Sequence, residues 1–126
     1  MPMFHAVVLI DHQSAKVMQF DAEQSHLETV KAHAHLTRHH HSQVRTEHEF
    51  FSDVCDALQG IGEILVTGTH QAQADFNHYV QKHRAALVPH IVNWETVDHP
   101  TDAQLLARAR HYFDHRHGVP GAARPS

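Results

Sequence analysis

One cysteine, Cys55, stands in a chain of 126 residues, so no internal disulfide can staple the fold. Glycine is scarce: there are five, and the first of them is Gly60. The segment before Gly60 therefore has no residue that lets the backbone take strained turns or approach a ligand without a side chain in the way. Long apolar runs are missing as well. The longest near the N-terminus is Ala6–Ile10, far short of the roughly 20 residues that span a bilayer as a helix. Met1–Phe4 offers neither a basic stretch nor the apolar centre of a secretory signal. The expected location is the cytoplasm, with no membrane partner. Charged residues are only 19% of the chain, which excludes a disordered polyelectrolyte. With 41% hydrophobic residues, one domain with a real core is expected over residues 1–117, followed by a flexible tail over 118–126.

What the chain has in excess is histidine. The net charge is −4 with every imidazole neutral, and protonating all 17 histidines carries it to +13. Free imidazoles titrate at about pH 6.5, so the charge should reverse sign over a narrow range. Surface use of His in place of Lys, Gln and Asn accounts for this, and a metal- or pH-responsive interaction module is an alternative.

His5–Asp11 (HAVVLID) is an apolar run ended by a turn at Asp11–Ser14, hence a strand. Ala15–Phe20 alternates as its antiparallel partner, with Val17 and Met18 between Lys16 and Gln19. His26–His33 is a third, partly exposed strand, with Leu27, Thr29 and Lys31 set against Glu28 and Val30. Ala34–Arg45 breaks the pattern and predicts a long loop. Thr46-Glu47-His48-Glu49 has the form of a capping box, opening a helix with Phe50, Phe51, Val54, Cys55 and Leu58 on one face and Gly60 at its end. Glu63–Thr67 is a short strand buried on both faces. Thr69 caps a second helix, with Ala72, Phe76, Tyr79, Val80 and His83 as its inner stripe, and Pro89 stops it from running on. His90–Val97 is a fifth strand. Thr101-Asp102-Ala103-Gln104 is a second capping box, opening a helix with Leu105, Leu106, Ala109, Tyr112 and Phe113 on one face.

The order βββαβαβα predicts a three-layer α/β domain with a mixed five-stranded sheet. The first three strands form a meander, and the later ones return in parallel through right-handed crossovers. This is the ribonuclease H-like order; a plain doubly wound fold would need a helix where Asp11–Ser14 leaves no room. Nucleases of that fold hold two metal ions with carboxylates. Here Asp11 ends the first strand, Glu49 and Asp53 lie on the first helix, and Asp102 opens the last. The fourth strand ends Val66-Thr67-Gly68-Thr69 with no acid. A metal-dependent phosphodiesterase using Asp11, Asp53 and Asp102 is thus an alternative reading. The same three acids also suit turn initiation, helix surface and helix-dipole pairing.

At Gly62–Phe76 (GEILVTGTHQAQADF) and Val92–Phe113, the chain resembles the central domain of archaeal and eukaryotic class I peptide release factors and of Pelota. The resemblance runs over about residues 4–116 and looks closest to small stand-alone bacterial members of that translation-component superfamily. It implies the ribonuclease H-like fold and docking on ribosomal RNA or tRNA. In release factors the loop after the meander carries Gly-Gly-Gln, which approaches the peptidyl-tRNA ester. The matching stretch here, Ala34–Arg45 (AHLTRHHHSQVR), has Gln43 but no glycine. The resemblance therefore implies a binding role without that hydrolysis, as in Pelota.

Lys31, Arg38, His39, His40, His41 and Arg45 form a basic, acid-free stretch. Lys and Arg neutralise phosphates, and imidazoles stack on bases, so this stretch is the expected RNA contact; a solvated loop is the plain alternative. Gly68 and Thr69 at a helix start form a candidate phosphate-binding turn, or an ordinary strand–helix connection. His33, His35 and His39–His41 suit a transition metal by donor type but lack the fixed spacing of a structural zinc site, so no specific metal and no cofactor is expected. His111 and His115 share a helix face without the Glu of a metalloprotease motif. Cys55 falls on an apolar face, and Ser14, Ser25, Ser42 and Ser52 lack a nucleophile elbow, so nucleophilic catalysis finds no support.

Overall fold

The computed structural model describes residues 4–21, 23–32 and 41–117, with the backbone alone at 41–46 and 116–117. Strands β1 (His5–Ile10), β2 (Ser14–Phe20) and β3 (Ser25–Lys31) lead into helix α1 (His41–Ala57). Strand β4 (Glu63–Gly68), helix α2 (His70–His83), strand β5 (Ile91–Thr96) and helix α3 (Asp102–His117) follow. The sheet order is β3-β2-β1-β4-β5. β1 and β2 are antiparallel, as are β2 and β3, while β4 lies parallel to both β1 and β5. This is the predicted α/β, ribonuclease H-like arrangement. No helix among the described residues is long and apolar enough to cross a membrane.

Strand alternation divides the interior into two layers. Ala6, Val8 and Ile10 of β1 face one side with Ala15 and Val17 of β2, and Ile64 and Val66 of β4. α1 and α2 cover them with Phe50, Phe51, Val54, Cys55, Leu58, Ala72 and Phe76. The opposite face presents Val7, Met18, Phe20 and Leu65 to Leu105, Ala109 and Phe113 of α3. Each fully buried large side chain contributes about 1.5–3 kcal/mol to folding. β4, central and parallel, is buried from Ile64 to Gly68, as a doubly covered strand should be.

Two local expectations need correction, the start of α1 and the inward placing of His83, and the bounds of α2 and the burial of β3 take a definite form. α1 begins at His41, not at Thr46, so Thr46 is an interior residue and no capping box opens the helix there. Once a helix is nucleated, each further turn costs little, and a Thr with helix-compatible neighbours does not stop it. α2 ends at His83, six residues before Pro89. A 3-10 helix over Ala85–His90 makes the connection and contains Pro89. In α2, His83 is exposed and Gln73 takes the buried place instead. In β3 only Val30 is buried, while Leu27 is 40% exposed. β3 is an edge strand, and Leu27, paired with Met18, stands on the sheet face that α3 covers only nearer the centre.

Other signals fold as read. Thr69 Oγ1 accepts from Ala72 N at 3.3 Å. At α3 the box is reciprocal: Gln104 N donates to Thr101 Oγ1 at 3.1 Å and Thr101 N to Gln104 Oε1 at 2.9 Å. Gly60 takes φ 85° just past α1.

Candidate functional site

The basic stretch bridges β3 and α1. Lys31 is the last residue of β3 and is exposed. Arg38, His39 and His40 lie outside the described residues, as do His33 and His35. His41 and Arg45, expected in a loop, belong to the first turns of α1. Most other cations are used to hold the fold. Lys16 Nζ meets Asp102 Oδ1 at 2.6 Å, Arg84 Nη2 meets Asp56 Oδ1 at 2.8 Å, and Arg108 Nε meets Glu95 Oε1 at 2.8 Å. Arg110 Nη2 donates to the carbonyls of Asp21 at 3.0 Å and Gln24 at 3.3 Å. Asp56 beside Arg84 raises the guanidinium's pKa further. Among the described Lys and Arg side chains, Lys31 and Lys82 have no ion pair or hydrogen bond.

The three alternative acids do not meet. Asp11 Oδ1 accepts from His12 N at 2.7 Å inside the β1–β2 turn. Asp102 is neutralised by Lys16 on the α3 face. Asp53 is exposed on α1, across the sheet, in an open groove of about 760 Å³ with Glu28, Lys31 and Asp56. Among the described residues no three His, Cys, Asp or Glu side chains are grouped as a metal ion requires.

Gly68 is buried, with φ 146°. Its carbonyl accepts from Gln73 Nε2 at 2.9 Å and Val97 N at 3.1 Å. The Thr69 hydroxyl is occupied by the Ala72 N–H. Two carboxylates flank neighbouring His12: Asp11 at 3.9 Å and Asp75 at 3.7 Å. Negative charge on either side of His12 works against a phosphate at this end of the sheet.

Cys55 is a core residue, 1% exposed. Burial pushes its thiol up to about 11, so it stays protonated at neutral pH. On α3, the His115 ring faces the His111 carbonyl through Nδ1 at 3.0 Å. A carbonyl only accepts, so Nδ1 carries the proton.

A feature not anticipated from sequence is a cleft of about 180 Å³ between α1 and α2. Its walls include Glu47 and His48 of α1 with Asp75, Tyr79, Lys82 and His83 of α2. Three rings meet there: His48 lies 5.4 Å from Tyr79 and 5.5 Å from His83, and Tyr79 lies 4.8 Å from His83. Tyr79 is held from below by Phe51 at 5.6 Å. The available signal was His48 one turn before Phe51 of the apolar stripe of α1 and His83 one turn after Tyr79, but pairing those turns requires knowing how the helices cross.

No protein-family model matches the sequence, and no curated protein matches it. Solved structures do match. The Pelota protein of Thermoplasma acidophilum aligns with a TM-score of 0.60 at 15% identity, covering 90% of this chain and 32% of its own. The Pelota of Archaeoglobus fulgidus gives 0.55 at 14% identity, covering 85% and 30%. The archaeal translation termination factor aRF1 gives 0.57 at 12% identity, covering 94% and 35%. The chain is similar in fold to Pelota and to this termination factor. It spans about a third of the length of each. At such identity the likeness is one of fold, and it agrees with the resemblance carried by Gly62–Phe76 and Val92–Phe113.

Proposed function

We propose that the chain is a cytoplasmic, translation-associated binding module that contacts ribosomal RNA or tRNA and does not hydrolyse peptidyl-tRNA. The observation that carries the reading is the fold likeness to Pelota and aRF1 over 85–94% of the chain. The proposed contact is formed by Lys31, Arg38, His39, His40, His41 and Arg45. Supporting it, Lys31 has no partner among the described residues, whereas Lys16, Arg84 and Arg108 are committed to ion pairs. The lack of hydrolysis rests on backbone chemistry: the segment 1–59 has no glycine, so a Gly-Gly-Gln loop cannot be placed after the meander.

Co-sedimentation with ribosomes through a sucrose cushion tests the association. Filter binding to tRNA and ribosomal RNA fragments tests the contact: affinity should fall steeply with salt and rise as pH drops toward the range where imidazoles protonate. Absence from the ribosome pellet together with no salt-sensitive RNA binding overturns the proposal. Release of peptide from peptidyl-tRNA by the purified chain overturns its non-catalytic part.

A further inference from the structure

We infer that the cleft between α1 and α2 seats one unpaired nucleobase, guanine in preference to uracil. The inference rests on the RNA-contact reading and adds a second element to it, away from the basic stretch itself. At about 180 Å³ the cleft is smaller than the roughly 300–1,000 Å³ of ordinary small-molecule sites, so it suits a single planar ring system. Rings line it from both helices, His48 and Phe51 from α1 and His78, Tyr79 and His83 from α2. Tyr79 is buried and braced by Phe51, which makes a fixed floor. His48 and His83 are exposed at the rim, each within 5.5 Å of Tyr79 or of the other. An unstacked base finds here what single-strand binding proteins offer: aromatic planes from two elements, open to solvent on one side.

The polar groups select among bases. Glu47 has no hydrogen-bond or ion-pair partner among the described residues. Asp75 accepts from Gln71 Nε2 through Oδ1 at 3.0 Å, and its Oδ2 stands 3.7 Å from His12 Nε2. Ionised carboxylates accept and cannot donate. Guanine offers a ring N–H and an amino N–H side by side, which one carboxylate can grip with two hydrogen bonds. Uracil places its single ring N–H between two carbonyl oxygens, which a carboxylate repels. Lys82, uncommitted at the same cleft, supplies a cation for the phosphate attached to the seated base. Arg45 and His41 precede His48 by three and seven positions on α1, about one and two turns, so an RNA strand lying on the basic stretch reaches the cleft within a few nucleotides.

The test uses the intact chain with GMP and UMP, followed by amide chemical shifts, and with single-stranded RNA oligomers with and without guanine, followed by fluorescence anisotropy. GMP should shift Glu47, His48, Tyr79 and His83, and UMP should not. The double variant His48→Ala/His83→Ala removes two exposed rings and should keep the native circular dichroism. It should weaken binding to the guanine-containing oligomer about tenfold and leave its salt dependence unchanged. Tyr79→Phe keeps the ring and should bind as the parent does. RNA binding that persists with no GMP shifts at the cleft and no loss in the double variant overturns this inference and leaves the RNA-contact reading standing. No binding of any RNA overturns both.

Discussion

A Cβ built on Gly68 would stand 2.3 Å from the carbonyl oxygen of Ile10. β1 and β4 run parallel in register there, with Ile10 opposite Gly68, and Gly68 holds φ 146°. Both the space and the backbone angle therefore demand glycine. Gly68→Ala should destabilise the fold by more than the roughly 1–3 kcal/mol of a strained backbone position, because a backbone oxygen cannot swing aside. Urea unfolding would show this as a lowered midpoint with an unchanged slope. A midpoint equal to the parent's would contradict the close approach.

The reciprocal hydrogen bonds at the start of α3 predict a coupled loss. Thr101→Ala should cost about 1 kcal/mol and Gln104→Ala less. The double variant should cost less than the sum, because each side chain satisfies an N–H that belongs to the other's residue. Equilibrium unfolding of the three variants measures the coupling, and strict additivity would refute it.

Cys55 should resist thiol reagents in the native protein. Its thiol is buried and raised to about 11, and the thiolate is the reactive form. Ellman's reagent should label it slowly at neutral pH and completely in denaturing urea. Immediate stoichiometric labelling of the folded chain would place Cys55 outside the core.

Asp21 ties the β2–β3 turn. Its Oδ1 accepts from Gln24 N at 2.7 Å and Glu23 N at 2.8 Å, and these backbone bonds hold its pKa below the ordinary 3.8. A carboxylate depressed on folding stabilises the native state above its unfolded pKa, and the contribution disappears as pH falls through the folded value. Asp21→Asn should therefore be less stable than the parent at neutral pH, and the gap should close as pH falls below the ordinary carboxylate range and the native carboxylate is protonated. A gap that persists in acid would assign the loss to something other than the charge.

If the basic stretch neutralises phosphates, replacing Lys31 and Arg45 with Ala should reduce the slope of log affinity against log salt by about 0.7–0.9 for each phosphate that no longer has its cation. Filter binding across a salt series reads this directly. A weakened affinity with an unchanged slope would mean that the two residues act without neutralising phosphate.

Where the sequence was legible, the signal was local and strong. Thr69 and Thr101 cap helices because a hydroxyl close in sequence to free N–H groups meets little competition. The HAVVLI and EILVT runs became central strands because only a doubly covered strand hides so many consecutive apolar residues. Thr46 misled because its capping signal is equally local, yet α1 extends past it to His41. The partial exposure of β3 was legible, but which of its residues lie open was not, because alternation tells which residues share a face and not how far a helix reaches across that face toward an edge strand.

The amino-acid order alone thus determined the βββαβαβα succession, the two-sided burial of β4 and the absence of glycine where a Gly-Gly-Gln loop would need it, since each follows from neighbours along the chain. The meeting of His48 with Tyr79 and His83, and the separation of Asp11, Asp53 and Asp102, were settled by how α1, α2 and α3 pack on the two faces of the sheet. Those relations join residues from different elements, and no periodicity within one element carries the crossing geometry that brings them together or holds them apart.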